Sequence, residues 1–211
     1  MGDGMLNYVI NYSRDDPIVV QQDSLIEMTS PKRCILMEFV VLIEFDMRIK
    51  NGVHEDDDLQ LIDGALSCSR YAYRAWRPVR NRITGNSGTI DVSLAVVEQV
   101  VEATIEVVIS QALSGLNLSL SFFVDVMDVY EEIQLFDGTI GQSGALRRFV
   151  VAVPCDTMML LKLKVRKDGE GSLHKCASRQ IKFEAKLFGC ASRQIKLKLA
   201  TISVKVTWST I

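Results

Sequence analysis

Apolar and polar residues alternate along most of the apolar stretches of this chain. In the segment VLIEFDMRIK, the apolar residues Ile43, Phe45 and Met47 are separated by charged ones. A period of two places the apolar side chains on one face of an extended strand, because successive side chains point to opposite faces. We therefore predict a half-buried β-strand here. The same alternation predicts strands in three more segments, 90–96, 103–109 and 118–124.

Six further segments have the composition of strands. They are EEIQLF (131–136), ALRRFVVAV (145–153), MMLLKLKVR (158–166), QIKFEAKL (180–187), QIKLKLA (194–200) and ISVKVTW (202–208). Residues that favour turns lie between strands, at Asn51-Gly52, 85–88, Ser114-Gly115, Asp137-Gly138 and 168–171. Frequent turns between short strands indicate antiparallel sheets rather than alternating strands and helices. We predict an all-β, antiparallel, sandwich-like single domain with about ten strands and little helix.

One segment, SLAVVEQVVEA (93–103), is compatible with either a helix or a strand. Its valines would form an apolar stripe along a helix, with Val96, Val97, Val100 and Val101 on one side. Valine is β-branched, and this restricts its side chain in a helix more than in a strand. We therefore prefer the strand.

The domain organisation and core follow from the same pattern. Residues 1–28 are predicted to be a lead-in segment, and residues 29–211 a single domain. The chain has 211 residues and is 48% hydrophobic, so it can bury a sizeable core without disulfides or metals. The predicted core residues are Ile43, Phe45, Ile105, Val107, Leu120, Val151, Leu163, Phe183, Leu197, Val204 and Val206.

Charge is balanced over the whole chain but not along it. The 24 Lys and Arg residues and 26 Asp and Glu residues give a formal net charge of −2. Such a balance creates no global field that would select nucleic acid or a membrane as partner. Residues 147–211, however, hold 14 basic and 4 acidic residues. An anionic partner is therefore to be sought at the C-terminal third.

Cysteine usage and the first residues indicate the compartment. The five cysteines are odd in number and none lies in a C-x-x-C spacing, which favours reduced thiols. The first twenty residues lack the basic and apolar regions of a secretory signal. No apolar run is long enough to cross a bilayer. We expect a cytoplasmic protein without a transmembrane segment.

Lysine and arginine occupy the outward positions of the predicted C-terminal strands. If these strands are neighbours in one sheet, they form a basic face about four strands wide, suited to RNA, the ribosome or acidic lipid. The alternative is a solvated face whose lysines provide solubility and protect sheet edges. This alternative is favoured because no aromatic residues interleave with the lysines to stack on bases. The candidate anion-contact residues are Lys162, Lys164, Arg166, Lys182, Lys186, Lys196, Lys198 and Lys205.

Two charged runs precede this region. The acidic run consists of Glu55, Asp56, Asp57, Asp58 and Asp63. It would supply oxygen ligands for calcium, but it lacks the spacing and glycine of an EF-hand, so a solvated loop is preferred. The segment RYAYRAWRPVRNR (70–82) alternates cations with aromatic rings. Two interpretations stay open for it, namely contact with nucleic acid and pairing with the acidic run.

Catalytic and metal-binding signatures are missing from the sequence. A thiol pair of Cys176 and His174 has no visible residue to orient the histidine. The patterns GxSxG and HExxH, a glycine-rich phosphate loop and zinc-ligand spacings are also absent. We therefore expect no catalytic, cofactor-binding or metal-binding residues. A binding or structural domain is the preferred interpretation.

The seven residues CASRQIK occur twice, at 176–182 and at 190–196. The copies are 14 residues apart and there are two of them, which excludes a solenoid array. In each copy the Ser-Arg-Gln segment leads into a strand that alternates apolar residues with lysine. We favour drift of a local duplication over a paired binding site.

Six segments together resemble a known family. They are NYSRDDP (11–17), TSPKRCI (29–35), IEFDMRIKNG (43–52), VEATIEVVIS (101–110), LRRFVVAV (146–153) and VKVTWS (204–209). They are similar to an uncharacterised domain of cereal plants. That domain occurs alone and also as the C-terminal domain of a jasmonate-induced protein, whose N-terminal domain is a ribosome-inactivating rRNA N-glycosidase.

The resemblance implies a stress or defence setting and a link to translation. It does not imply glycosidase activity, which needs E-A-x-R on a helix. The nearest match, Glu184-Ala185-Lys186, lies in a predicted strand and ends in lysine. We expect a non-catalytic binding or accessory domain of a plant stress- or defence-associated protein. The alternative is an RNA-directed hydrolase of the rRNA N-glycosidase class.

Overall fold

The computed structural model is almost entirely β-structure. The residues that it describes are 7–20, 26, 31–38, 40–69, 71, 75, 77, 79–111, 115–126, 129–167 and 177–211. One short 3-10 helix lies at Glu55–Asp57. The thirteen strands are β1 (Val41–Ile49), β2 (Leu59–Cys68), β3 (Val79–Thr84), β4 (Thr89–Leu94), β5 (Val100–Ser110), β6 (Leu116–Val126), β7 (Val129–Ile140), β8 (Gly144–Ala145), β9 (Phe149–Pro154), β10 (Met158–Lys167), β11 (Ala177–Glu184), β12 (Gly189–Lys196) and β13 (Thr201–Ser209). All described strand pairs are antiparallel, so the all-β prediction is confirmed.

The chain divides into two compact units. Unit 1 comprises Met1–Ile10, Leu25–Ile35 and Gln99–Ile211, and unit 2 comprises Asn11–Ser24 and Leu36–Glu98. From the sequence we predict a lead-in segment, 1–28, and one domain, 29–211. The boundary predicted there lies outside the described residues and stays a prediction.

Unit 1 contains two antiparallel sheets. The first sheet has the strand order β11-β10-β6-β7. The second has the order β12-β13-β5, and β8 and β9 follow one another along the free edge of β5. Every second side chain of the central strands is buried, and Leu161, Leu163 and Val165 of β10 and Val204 and Val206 of β13 are at most 1% exposed. Each sheet therefore has one apolar face, as the alternation in the sequence requires.

Contacts at both lateral edges join the two sheets face to face. At one edge, the guanidinium of Arg193 on β12 lies 5.8 Å from the ring centroid of Phe183 on β11. At the other, the guanidinium of Arg147, between β8 and β9, donates to the carbonyl of Leu135 on β7 at 3.4 Å. The two apolar faces meet between these edges and form the core of a β-sandwich.

Most of the predicted core is confirmed. Less than a tenth of the surface is exposed for Ile105, Val107, Leu120, Val151, Leu163, Phe183, Val204 and Val206. Leu197 is half-buried, because it follows β12 in a tight turn in which its N–H donates to the carbonyl of Ala200 at 2.9 Å. Ile43 and Phe45 are also half-buried, since they lie in a two-stranded ribbon of unit 2.

Three segments differ from the predicted elements. Residues 95–99 are neither helix nor strand, and Gln99 has a φ of 51°, so the chain changes direction before β5. The turn predicted at Asp137-Gly138 is wrong, because β7 continues through it in register with β6. The strand predicted over 145–153 is interrupted between β8 and β9. At Asp137-Gly138 the long-range pairing with β6 overrides the local turn preference.

Unit 2 contains two hairpins, β1 with β2 and β3 with β4. The predicted turn at Gly85 closes the second hairpin, and its N–H donates to the carbonyl of Gly88 at 2.8 Å. A side chain at Gly85 would collide with the backbone carbonyl of Leu61 on β2. Glycine is therefore required at this position, because the turn packs directly on the backbone of the first ribbon.

Candidate functional site: a basic stripe on the first sheet

The eight candidate anion-contact residues lie on both sheets of unit 1. The first sheet carries Lys162, Lys164 and Arg166 on β10, Lys182 on β11 and Lys186 after it, whereas the second sheet carries Lys196 on β12, Lys198 after it and Lys205 on β13. The outer faces of the two sheets point to opposite sides of the sandwich. The condition for one basic face four strands wide, that these strands are neighbours in one sheet, is therefore not met. The physical reason is that the chain crosses from one sheet to the other between β11 and β12.

The first sheet retains a smaller basic surface, which we call the basic stripe. It consists of Lys162, Lys164, Arg166 and Lys182. The strand alternation directs these side chains outward, because their neighbours on β10 and β11 are buried in the core. Across the ladders the stripe is flanked by small polar side chains, with Ser178, Gln180, Ser119, Ser121 and Asn117 in register with the cations of β10. The flanking side chains are short and leave the cations as the most prominent groups there.

An aromatic ring adjoins the stripe. Leu160 on β10 is in register with Lys182 on β11 and with Phe123 on β6, so the three form one row across the outer face. The ammonium nitrogen of Lys162 lies 5.3 Å from the ring centroid of Phe123. No aromatic residue interleaves with these lysines along the sequence, because Phe123 belongs to a strand far away in the chain. Only the pairing of β6 with β10 brings the ring to the stripe.

The cations differ in how far acidic groups compensate them. Lys162 lies 3.9 Å from Glu132 of β7. In the part of the chain that the structure describes, no ion pair within 4 Å involves Lys164, Arg166 or Lys182. Glu132 also marks the limit of the basic surface on the β7 side. Among the described residues, these three cations of the stripe therefore have no acidic partner within 4 Å.

The remaining candidates do not belong to the basic stripe. Lys186 lies 3.9 Å from Glu184, and Lys205 lies 3.1 Å from Glu106 of the neighbouring strand β5. Lys196 and Lys198 lie at the end of β12 and in the following turn, on the other sheet. These four residues do not extend the basic stripe.

The acidic run has a structural partner in unit 2. The guanidinium of Arg14 lies 2.9 Å from the carboxylate of Asp58, which also accepts the N–H of Asn51 at 2.9 Å. The backbone bond from Asn51 and the bond from Arg14 hold the pKa of Asp58 below its ordinary value. Within the described ranges, no group of three or more His, Cys, Asp and Glu side chains is placed to hold a metal ion.

The arginine-rich segment 70–82 is described only in part. Its guanidinium groups at Arg80 and Arg82 pair with Asp91 across the β3–β4 hairpin, at 4.0 and 2.8 Å. The predicted pairing with the acidic run is not found among its described residues. The thiol pair of Cys176 and His174 lies outside the described residues.

Two features were not anticipated from the sequence. A cleft of about 540 Å³ opens beside the end of β7, with Ile109, Ile140 and Leu146 among its lining residues. The thiol of Cys34 is partly buried, and its backbone N–H donates to the carboxylate of Glu102 at 2.7 Å. Burial, and then the neighbouring carboxylate, raise the pKa of Cys34 to about 12. A thiol held protonated in this way is a poor nucleophile at neutral pH.

The fold defines a class, an antiparallel β-sandwich protein, and the basic stripe lies on the outer face of one of its sheets. No helix in the described part of the chain has the length and apolar content to span a bilayer. The chain belongs to the DUF6598 family, whose model, described as a domain of unknown function, matches residues 2–207. No curated protein matches the chain.

Proposed function

We propose that this protein is a non-catalytic binding module that contacts RNA through the basic stripe. The observation that carries this proposal is the group of three cations, Lys164, Arg166 and Lys182, on two adjacent strands, for which no acidic partner lies within 4 Å among the described residues. Cations without acidic partners are available to neutralise phosphates, and the release of the condensed counterions favours binding.

The arrangement of the stripe suits a single RNA strand. Residues two apart on a β-strand are separated by about 6.6 Å, so Lys162, Lys164 and Arg166 form a row of cations about 13 Å long. At one end of this row, Phe123 offers a ring on which a base would stack. The ring favours RNA over acidic lipid, because a lipid headgroup has no π-face to stack.

The biological setting that we propose comes from the family resemblance. The similar cereal-plant domain is fused in one protein to a ribosome-inactivating enzyme, which supports a role in plant stress or defence linked to translation. We accordingly place the protein in the cytoplasm, where ribosomal RNA is accessible. In this setting the domain would bring a partner to RNA and would not cleave it.

A charge-reversal pair tests the proposal. We expect Lys164→Glu with Arg166→Glu to weaken binding of a fluorescent single-stranded RNA by at least about tenfold, because two phosphate contacts become repulsive. The matched control is Lys196→Glu with Lys198→Glu, which changes the net charge equally on the second sheet and should bind like the wild type. Equal losses in both variants would contradict the proposal.

Salt dependence and enzyme activity give two further outcomes. With three contacts to a single strand, the logarithm of the affinity should fall with the logarithm of salt at a slope of about −2. The charge-reversal pair should make this slope shallower by about 1.4. Release of adenine from intact ribosomes by the purified protein would instead support the rRNA N-glycosidase alternative and overturn the non-catalytic proposal.

A further inference from the structure

The two copies of CASRQIK form the edge strands of the sandwich. The first copy contributes most of β11, which lies at the edge of the first sheet, and the second contributes most of β12, at the edge of the second sheet. The contact of Arg193 with the ring of Phe183 places the two edges side by side. The duplicated sequence therefore forms the edge strand of each sheet on the same lateral side of the sandwich.

The two copies have equivalent geometry. Arg179 is in register with the buried Leu163, and Arg193 is in register with the buried Val204, so both arginines are on the inward faces of their strands. Each guanidinium donates to the carbonyl of the serine that precedes it, at 3.3 Å for Arg179 and 3.1 Å for Arg193. The serine, glutamine and lysine positions of both copies are on the outward faces.

The edge of β12 has backbone groups that are not used in the described sheets. β12 pairs with β13 along all eight of its residues and with no other described strand. Edge strands are commonly protected by prolines, bulges or charged side chains, because their unpaired N–H and C=O groups attract other strands. On β12 the protection is by charge, from Arg193 and Lys196. β12 contains no proline, and its pairing with β13 has no register shift. Its outer edge is thus a regular template for a further strand.

The charge of β12 and of the turn after it determines which kind of strand would pair with this edge. The segment 187–209 contains no acidic residue. Three of its four basic residues, Arg193, Lys196 and Lys198, lie on β12 or in the turn that follows, and Lys205 lies on β13. Like charges on paired strands are destabilising, so a second copy of β12 is an unfavourable occupant. A strand with carboxylates would instead pair its charges with these cations.

We propose that β12 is a docking edge for an extended acidic peptide segment, which adds to the second sheet as one more strand. Main-chain hydrogen bonds would supply much of the affinity, and the cations of β12 would select carboxylates. Small outward side chains at Cys190, Ser192 and Gln194 leave room beside the added strand. This site is separate from the basic stripe, which is on the outer face of the other sheet.

The test uses a fluorescent eight-residue peptide of threonine and glutamate with glutamates at neighbouring positions, so that both faces of the added strand carry carboxylates. Fluorescence anisotropy is the readout. A second peptide has the same residues but N-methylated central amides, so it keeps the charge and loses the main-chain donors. We expect the unmodified peptide to bind at least about tenfold more tightly. Equal binding of the two peptides would reduce the interaction to electrostatic adsorption and overturn the proposal.

Two proline variants locate the site on the protein. Neighbouring residues of an antiparallel strand direct their N–H groups to opposite sides, so one of Ala191→Pro and Ser192→Pro removes a bond to β13 and the other removes an outward donor. The variant that retains the wild-type melting temperature is the outward one, and it should lose at least about tenfold in peptide affinity. Wild-type affinity in that variant would overturn the proposal.

Variants that replace two cations of β12 with neutral glutamine keep the proposal testable if both proline substitutions impair folding. Arg193→Gln with Lys196→Gln should weaken the acidic peptide about tenfold and leave RNA affinity unchanged. Lys164→Glu with Arg166→Glu should instead weaken RNA binding and leave the affinity for the acidic peptide unchanged. A failure of the peptide experiment is thus distinguishable from a failure of the RNA proposal, and unchanged peptide binding in the Gln variant would contradict the docking edge.

Discussion

At the residue scale, Gly189 has the most restrictive backbone conformation in the segment that connects β11 of the first sheet to β12 of the second. It follows the turn after β11 and begins β12, with a φ of 109°. No atom lies within 4 Å of the place where a side chain would begin. The requirement for glycine is thus conformational rather than steric, because residues with a Cβ rarely adopt this φ.

We predict that Gly189→Ala lowers the free energy of unfolding by about 1–3 kcal/mol, because alanine must adopt a strained backbone conformation. Urea denaturation followed by circular dichroism measures the change. The matched control is Gly141→Ala, where the side chain also meets no atom within 4 Å and φ is ordinary. The control should change stability by less than about 0.5 kcal/mol. Equal effects at both positions would refute the conformational argument.

At the scale of elements, the connection between β1 and β2 depends on one ion pair. The carboxylate of Asp58 is almost fully buried, with 5% of its side-chain surface exposed, and it receives bonds from Arg14 and from the N–H of Asn51. The guanidinium of Arg14 also donates to the carbonyl of His54 at 2.9 Å. Arg14 therefore ties the segment before β1 to the loop that contains the acidic run.

We predict that this connection is sensitive to acid. The bonds lower the pKa of Asp58 in the folded state, so the folded state binds fewer protons than the unfolded state. The stabilisation is complete above the ordinary pKa of about 3.9 and is lost as the pH falls through the lower folded value. Backbone amide signals of β1 and β2, followed by NMR from pH 6 to pH 2, should report this loss. Asp58→Asn should remove this pH dependence, and an unchanged acid transition in that variant would disprove the assignment.

Individual strands were predictable because their signal is local. The alternation over residues 41–50 and 103–109 predicts β1 and β5 and states which side chains are buried, and the structure agrees for β5 in full. Prediction of strands from the sequence fails where pairing with a distant strand competes with the turn preference of the local residues. Asp137-Gly138 has the composition of a turn, yet it continues β7 because β6 supplies a partner strand at that position.

At the scale of the whole molecule, the two proposed contact surfaces belong to different sheets of unit 1. The basic stripe is on the outer face of the first sheet, and the docking edge is on β12 of the second. Nothing in this arrangement requires one ligand to displace the other. The protein would then join an RNA to an acidic protein segment, as an accessory domain does.

We predict that the two ligands bind independently. A saturating concentration of the threonine-glutamate peptide should change the RNA dissociation constant by less than about twofold, because separated sites without a coupled transition show little coupling free energy. Anisotropy titrations of labelled RNA with and without unlabelled peptide measure this. Competition between the ligands would indicate that both occupy one basic surface, and it would refute the assignment of separate sites.

The sequence by itself determined the β-structure, the buried side of each strand and the outward direction of the C-terminal cations. These properties depend on the alternation of side chains along single strands, which is local. Only the tertiary structure decided that the eight cations divide between two sheets and that Phe123 joins Lys162. Strand neighbours are chosen by hydrogen bonds and packing between residues far apart in the chain, and no local pattern encodes that choice.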